Sequence, residues 1–346
     1  MTTEAKLSRG QVITVDAERA VAGGDMLARH DGRVVFVSGA IPGERVRARV
    51  HRVTKSAAWA QVVEVEEASA DRREATRDGD CGGLSYAHIA YPAQLRLKAD
   101  IITDAFARIG RITLDSAVDV MGSPEDGYRL RARLHVRDGR AGFFRSNTHT
   151  LCDPAPGGQL HPDALPAVAE CLSSLGPRVR DVEAIVVAEN VAVTERVLHL
   201  EPREGATLES LARQVPLLEG VTGVTTDVRG RILGIAGRST VTDAAADLFR
   251  GESPVGGLAA WTRHAPAFFQ GNRFLVGALA RAVLEAVEAK QVADLYAGVG
   301  LFAISAAVCK GVRVTAVEGD RISAADLRGN AERSAAGCRG GSARLG

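Results

Sequence analysis

Short apolar runs broken by glycine turns open the chain, at Gln11–Val15, Asp25–His30, Arg33–Val37, Arg45–Val53 and Trp59–Val65. Turn signals at Gly23-Gly24, Asp31-Gly32 and Pro42-Gly43 separate them, so residues 5–65 predict a small closed β-barrel of the oligonucleotide-binding type. The period of two is cleanest in Arg45–Val53. There Val46, Ala48 and Val50 point one way, and Arg45, Arg47, Arg49 and His51 point the other. Residues 66–80 are charged and poor in apolar side chains, which predicts a linker. From 81 to 255 the pattern mixes periods and predicts an α+β domain. Helices are expected at Tyr91–Ile109, Pro162–Leu175 and Thr207–Gln214. A hairpin is expected around Asp138-Gly139, and an antiparallel sheet from Ala184–Val187, Val191–Val193, Val197–Leu200, Gly223–Asp227 and Ile232–Ala236. In the helix at Tyr91–Ile109 an apolar stripe runs from Leu95 to Ile109. From 256 to 346 an amphipathic helix, Arg273–Ala289, leads into a strand, a glycine turn and a helix, and then into a second strand, Val312–Val317.

Composition narrows the choices. With 346 residues and 46% hydrophobic side chains there is material for several domains. The net charge of +1 gives no global attraction to nucleic acid, so any basic patch must be local. The ribbon formed by Arg45, Arg47, Arg49, Arg52 and Lys55 has two readings. It is a solvated strand face, or it is a track for RNA phosphates. Five cysteines without a Cys-x-x-Cys pair fit a reduced, cytoplasmic protein, in which Cys81 reads as a small turn residue and Cys309 as a packing residue. No apolar run reaches membrane-spanning length, and no obligate protein partner is evident.

The candidate chemistry lies in Val292–Phe302. A strand ending at Asp294, followed by Gly298 and Gly300 and then a helix, lets backbone approach a ligand and aims free N–H groups at its anionic end. Glu318, after the next strand, can accept from both hydroxyls of an adenosine ribose. The local pattern admits NAD. Asp294, whose carboxylate would face an amino group, favours S-adenosylmethionine, and capping of the following helices is the alternative for both acids.

The order of motifs is distinctive. Pro42-Gly43-Glu44 is followed by Cys81-Gly82-Gly83, Tyr91-x-x-Gln94-Leu95-x-x-Lys98, Tyr128-Arg129, Gly142-Phe143-Phe144-Arg145 with Thr148-His149, Phe269-Gln270-x-Asn272 and Asp294-Leu-Tyr-x-Gly-x-Gly. Over almost its whole length the chain resembles the class I, S-adenosylmethionine-dependent RNA uridine-5-methyltransferases with an N-terminal TRAM domain. The resemblance implies a multidomain α/β fold of TRAM barrel, central α+β RNA-binding domain and Rossmann-like methyltransferase domain. It implies ribosomal or transfer RNA as partner. It assigns cofactor binding to Gln270, Tyr296 and Glu318, beside Asp294, Gly298 and Gly300.

The chain also departs from that family. Of the cluster cysteines only Cys81 remains; Ala75 and Leu84 hold flanking ligand positions, and Cys152 falls too early for the fourth. No [4Fe–4S] cluster or other metal is therefore expected. The family's Asp-Pro-Pro-Arg and Ser-Cys-Asn-Pro segments, the second carrying the nucleophile, do not occur in this chain. No catalytic residue can thus be assigned, and Cys338 sits in a tail without strand pattern. These departures predict an incomplete, inactive methyltransferase domain, poorly stable after about Pro254. A non-catalytic RNA-binding protein is the alternative, and a small-molecule methyltransferase is disfavoured by the basic strand.

Overall fold

The computed structural model describes residues 7–75, 77–211, 215–251, 260–337 and 343–345. They form two compact units, Met1–Gly122 with Arg145–Thr148, and Ser123–Phe144 with His149–Gly346. Cys338, Pro254 and Gln214 lie outside the described residues.

In the first unit, β1 (Val12–Ala20), β2 (Met26–His30), β3 (Arg33–Ser38), β4 (Arg45–Val53) and β5 (Ala57–Glu67) close into a barrel in the order β1-β2-β3-β5-β4. Alternation sets the register: Val46, Ala48 and Val50 are buried in the barrel core while the arginines between them face out. β5 extends past Val65, and the residues after it are not a free spacer. Glu44, fully buried in its turn, accepts from Arg72 Nε at 2.6 Å, from Ser69 N at 3.1 Å and from Ile41 N at 2.8 Å. A buried carboxylate demands such partners, so a charged stretch that reads as a linker is tied to the barrel.

Burial alone would raise the Glu44 pKa, but Arg72 and the two amides outweigh it and hold the carboxyl below its ordinary value. A depressed folded-state pKa contributes stability that is complete above the unfolded value and lost as pH falls through the folded one. Melting followed against pH is therefore expected to show the barrel unit weakening below about 4.5, the ordinary value. Glu44→Gln should flatten that acid limb; an unchanged limb would refute the assignment.

α1 (Tyr91–Ala105) continues as a single π-helical turn, Phe106–Gly110. Its apolar stripe is only half used. Ala93 and Leu97 are buried, whereas Ile109 is 81% exposed.

The second unit is built on a seven-stranded sheet. Its strands are β6 (Arg131–Arg137), β7 (Arg140–Phe144), β8 (Leu151–Cys152), β9 (Val182–Glu189), β10 (Arg196–Pro202), β11 (Gly223–Val228) and β12 (Arg231–Gly237). The order is β12-β11-β10-β9-β6-β7-β8, with α2 (Ala164–Ser174) between β8 and β9 in sequence. Asp138 and Gly139 both take positive φ, as a two-residue hairpin turn requires. The sheet is not wholly antiparallel, because β10 and β11 run parallel. The strand expected at Val191–Val193 is a turn: the Asn190 side chain accepts from Thr194 N and Glu195 N, and Val193 has φ of 60°. Of the helix expected at Thr207–Gln214, the described part is a short 3-10 turn, Glu209–Leu211, upstream of Pro216, which disfavours helix in the residue before it.

A two-stranded ribbon follows, β13 (Thr240–Ala244) with β14 (Ala260–His264), bracketing α3 (Ala245–Leu248). Then come α4 (Val276–Glu285), β15 (Gln291–Leu295), α5 (Leu301–Lys310), β16 (Arg313–Val317), α6 (Arg321–Gly337) and β17 (Ala343–Leu345). All three strands of the last sheet are parallel, in the order β15-β16-β17. The expectation that the tail forms no strand is thus corrected. Backbone pairing needs only N–H and C=O groups, so the β16 edge can take up a segment without apolar alternation. One face of this sheet packs into a core with Val314, Ala316 and Leu327, while Leu295 and Val317 on the other stay exposed.

Cys81 and Cys152 are both disulfide-bonded and buried, whereas Cys171 and Cys309 are not disulfide-bonded. The expectation of an all-thiol chain therefore fails at these two, since spacing along the sequence does not reveal which sulfurs a fold pairs. Burial, then the neighbouring Glu170, pushes the Cys171 thiol up to about 12. No described helix is long and apolar enough to cross a membrane, and no described cluster of His, Cys, Asp or Glu could hold a metal.

Candidate cofactor site

The turn after β15 has a shape that few side chains tolerate. Tyr296, Gly298 and Gly300 have φ of 64°, 57° and 91°. For a tyrosine this is a left-handed outlier, of the kind that a surrounding structure must enforce. A methyl group on Gly300 would lie 2.5 Å from Leu327 Cδ1, and one on Gly298 would lie 3.6 Å from the Phe268 carbonyl oxygen. α5 starts directly after Gly300 and no side chain at its N-cap closes its first turn. Tyr296 projects 90% exposed from the rim.

The two acids flank this turn. Glu318, just beyond β16, accepts from Gly298 N at 2.7 Å and from Asp320 N at 2.7 Å. Each oxygen keeps a lone pair for a further donor. Asp320, not Glu318, caps α6, accepting from Ser323 N at 2.8 Å. Asp294 is half-buried beside the backbone amide of Ala303 in the first turn of α5. Its Oδ2 is buried with no partner among the described residues. Burial raises its pKa; the Ala303 amide lowers it and Glu318 raises it further. A carboxylate with an orphan buried oxygen suits a cationic donor.

Gln270 lies on a separate segment, between Phe269 and Gly271. Tyr128 and Leu130, just before β6, hold it by Arg273 N to Tyr128 O at 2.9 Å and Leu130 N to Gly271 O at 3.1 Å. Upstream, Arg131 donates to the carbonyls of Ala265 at 2.9 Å and Pro266 at 3.0 Å. The fully buried Arg263 binds Asp243 at 2.9 Å and lies 4.4 Å from the Phe269 ring centroid. Phe268, 61% exposed, sits against Gly298. The Gly298 turn therefore has both Phe268 and Glu318 beside it, with Gln270 two residues from Phe268 in sequence.

Sequence reading missed what holds the two segments together. Asn330 of α6, fully buried, donates to Val299 O at 2.9 Å and Thr262 O at 3.0 Å and accepts from Thr262 N at 2.9 Å. Asp326 accepts from His264 N at 2.8 Å and pairs with His264 Nδ1 at 2.7 Å. A signal existed. Ser323, Asp326, Asn330 and Ser334 recur at helical spacing and all are buried, a polar stripe where apolar residues are the rule.

In the barrel, the basic ribbon is partly neutralised. Arg45 pairs with Asp16 at 3.2 Å and Glu66 at 3.3 Å, and Arg47 with Glu64 at 2.5 Å. Arg52 lies 4.5 Å over the Trp59 ring. Arg49 and Lys55 are exposed and have no ion-pair partner among the described residues. Exposed pairs like these are weak enough to exchange for phosphate.

The TRAM domain matches residues 6–63. An uncharacterized RNA methyltransferase of Corynebacterium glutamicum is 31% identical over 311 residues, spanning 88% of this chain and 69% of the relative. The chain belongs to the RNA methyltransferase family of that relative. Another member, the 23S rRNA (uracil(1939)-C(5))-methyltransferase RlmD of Halomonas elongata, is 32% identical, with 88% of this chain and 65% of the relative covered. RlmD of Methylococcus capsulatus is 36% identical over 55% of this chain and 45% of its own. This family member thus spans between 45% and 69% of the length of these three relatives. The crystal structure of Pyrococcus abyssi tRNA (uracil-54, C5)-methyltransferase with S-adenosyl-L-homocysteine has the same fold, with a TM-score of 0.68 and 20% identity over 96% of this chain and 79% of that one.

Proposed function

We propose that residues 256–346 bind S-adenosylmethionine for methyl transfer to C5 of a uridine in ribosomal or transfer RNA, with the barrel (5–65) and central region (81–255) holding the RNA. The observation that carries this reading is the Gly298 turn, contacted by both Glu318 and Phe268 and bordered by the orphan oxygen of Asp294. When bound, the cofactor supplies an electrophilic methyl group. Asp294 would take its amino group, Glu318 its ribose hydroxyls, and Gln270 and Tyr296 would bracket it. Gly298 and Gly300 admit it because they carry no side chain.

The reaction also requires a cysteine nucleophile. None of the described cysteines stands in a Ser-Cys-Asn-Pro segment, so these 346 residues are proposed to bind cofactor and RNA without turnover. That absence is what favours the second reading, a non-catalytic RNA-binding protein.

Calorimetric titration of S-adenosylmethionine separates the two. Saturable binding is expected, weakened about 10- to 100-fold in Gln270→Ala and in Glu318→Ala, as loss of a hydrogen bond to a charged or buried polar group implies. No binding by the parent chain would leave only the second reading.

A further inference from the structure

On the β6–β7 hairpin, alternation puts Phe143 inside and Phe144 outside. Phe143 is buried, while Phe144 is half-exposed on a face shared with Arg133, His135, Arg137 and Arg140. The His135 ring lies flat on Phe144, with centroids 3.6 Å apart and planes within 9°. His149 meets Phe144 edge-on at 5.3 Å. The Arg137 guanidinium is 5.7 Å from the Phe144 centroid, and Arg133 Nη1 is 3.3 Å from His135 Nδ1. Burial, followed by Arg133 and Arg137, lowers the His135 pKa, so the imidazole is neutral near pH 7 and presents a flat aromatic face.

A sheet needs none of this on its solvent side. Outward positions are normally filled by isolated polar side chains, yet here three rings associate among three arginines. Glu201 and Glu183 hold Arg133 at 2.7 Å and Arg137 at 3.6 Å, which fixes those guanidinium groups beside the rings. Arg140, exposed next to the hairpin turn, has no ion-pair partner among the described residues. An exposed ring flanked by cations is what an unpaired nucleotide needs, because every base has a π-face and every nucleotide a phosphate.

We propose that the outer face of the β6–β7 hairpin, centred on Phe144, is a binding site for single-stranded RNA, in which a base lies against the Phe144, His135 and His149 rings and Arg137 and Arg140 meet its phosphates. The site deepens the RNA-binding half of the function proposed above and is independent of the cofactor half.

Fluorescence anisotropy with a labelled single-stranded oligouridylate tests it in the full chain. Phe144→Leu keeps the apolar bulk and removes the π-face; it is expected to weaken binding about 5- to 100-fold, the range for losing one stacked base. Phe144→Tyr is expected to restore affinity. Arg140→Gln should lower the slope of log affinity against log salt by about 0.7, the value for one phosphate contact on a single strand. Melting temperature and S-adenosylmethionine affinity should match the parent in all three variants. The proposal is overturned if the parent fails to bind the oligonucleotide, or if Phe144→Leu and Arg140→Gln bind as the parent does. Parent-like cofactor binding in either case would leave the cofactor site standing, and loss of cofactor binding alone would leave this site standing.

Discussion

Glu189→Ala is expected to be the most damaging single substitution in the second unit, costing about 3–5 kcal/mol, the range for removing one partner of a buried ion pair. Glu189 is fully buried at the end of β9. Its Oε1 accepts from Arg196 Nε at 2.8 Å and Nη2 at 2.6 Å, its Oε2 is paired with Arg273, and its backbone carbonyl accepts from Arg263 at 2.6 Å. Arg196 and Arg273 are themselves almost completely buried, so alanine at 189 would strand two guanidinium groups away from water. Arg273 already has two buried nitrogens without a partner among the described residues, so it has little capacity to compensate. For a unit of this size the loss corresponds to a melting temperature lower by roughly 6–20 °C. Because Arg273 lies three residues after Gln270, which is proposed to bind the cofactor, cofactor affinity is expected to fall as well. Calorimetry showing a drop of only a degree or two would mean that water or rearrangement solvates the arginines and that the network is not structural.

Gly300→Ala should have the next largest effect, on both stability and cofactor binding. The added methyl would sit 2.5 Å from Leu327 Cδ1 and 2.7 Å from Ile304 Cδ1. Those atoms are side-chain ends and can move, at the roughly 1–3 kcal/mol typical of an overpacked core. The backbone cannot escape so easily: φ is 91° at Gly300, and holding an L-residue in the left-handed region costs about 1–2 kcal/mol. Together these two ranges give a total of about 2–5 kcal/mol. Trp261 Nε1 donates to the Gly300 carbonyl at 3.4 Å, and Asn330 to that of Val299, so a shifted turn would also disturb β14 and α6. Gly298→Ala makes the informative contrast. Its nearest neighbour would be 3.6 Å away, an ordinary contact, so beyond the roughly 1–2 kcal/mol that its own φ of 57° costs an L-residue it should lose mainly ligand affinity. Thermal melts combined with S-adenosylmethionine titration distinguish the two, and equal stability losses would show that neither glycine is there for the ligand.

The sequence by itself was sufficient wherever a local period or a single backbone requirement decides the outcome. β4 runs from Arg45 to Val53 as its alternation predicts, because burying Val46, Ala48 and Val50 fixes the register of every residue between them. The strand, glycine turn and helix around Asp294, Gly298 and Gly300 were legible for the same reason: only glycine sits easily at those φ values before a helix start. Interactions between distant positions were not legible. Nothing local says that Arg72 neutralises Glu44, that Asn330 bridges Thr262 and Val299, or that Tyr91–Ile109 would use only part of its apolar stripe. The tail made a strand without strand-like side chains because an open edge bonds to backbone, whatever the sequence. Side-chain pattern thus settled which elements form, while burial decided which polar groups must find partners, and those partners are brought together only by the tertiary fold.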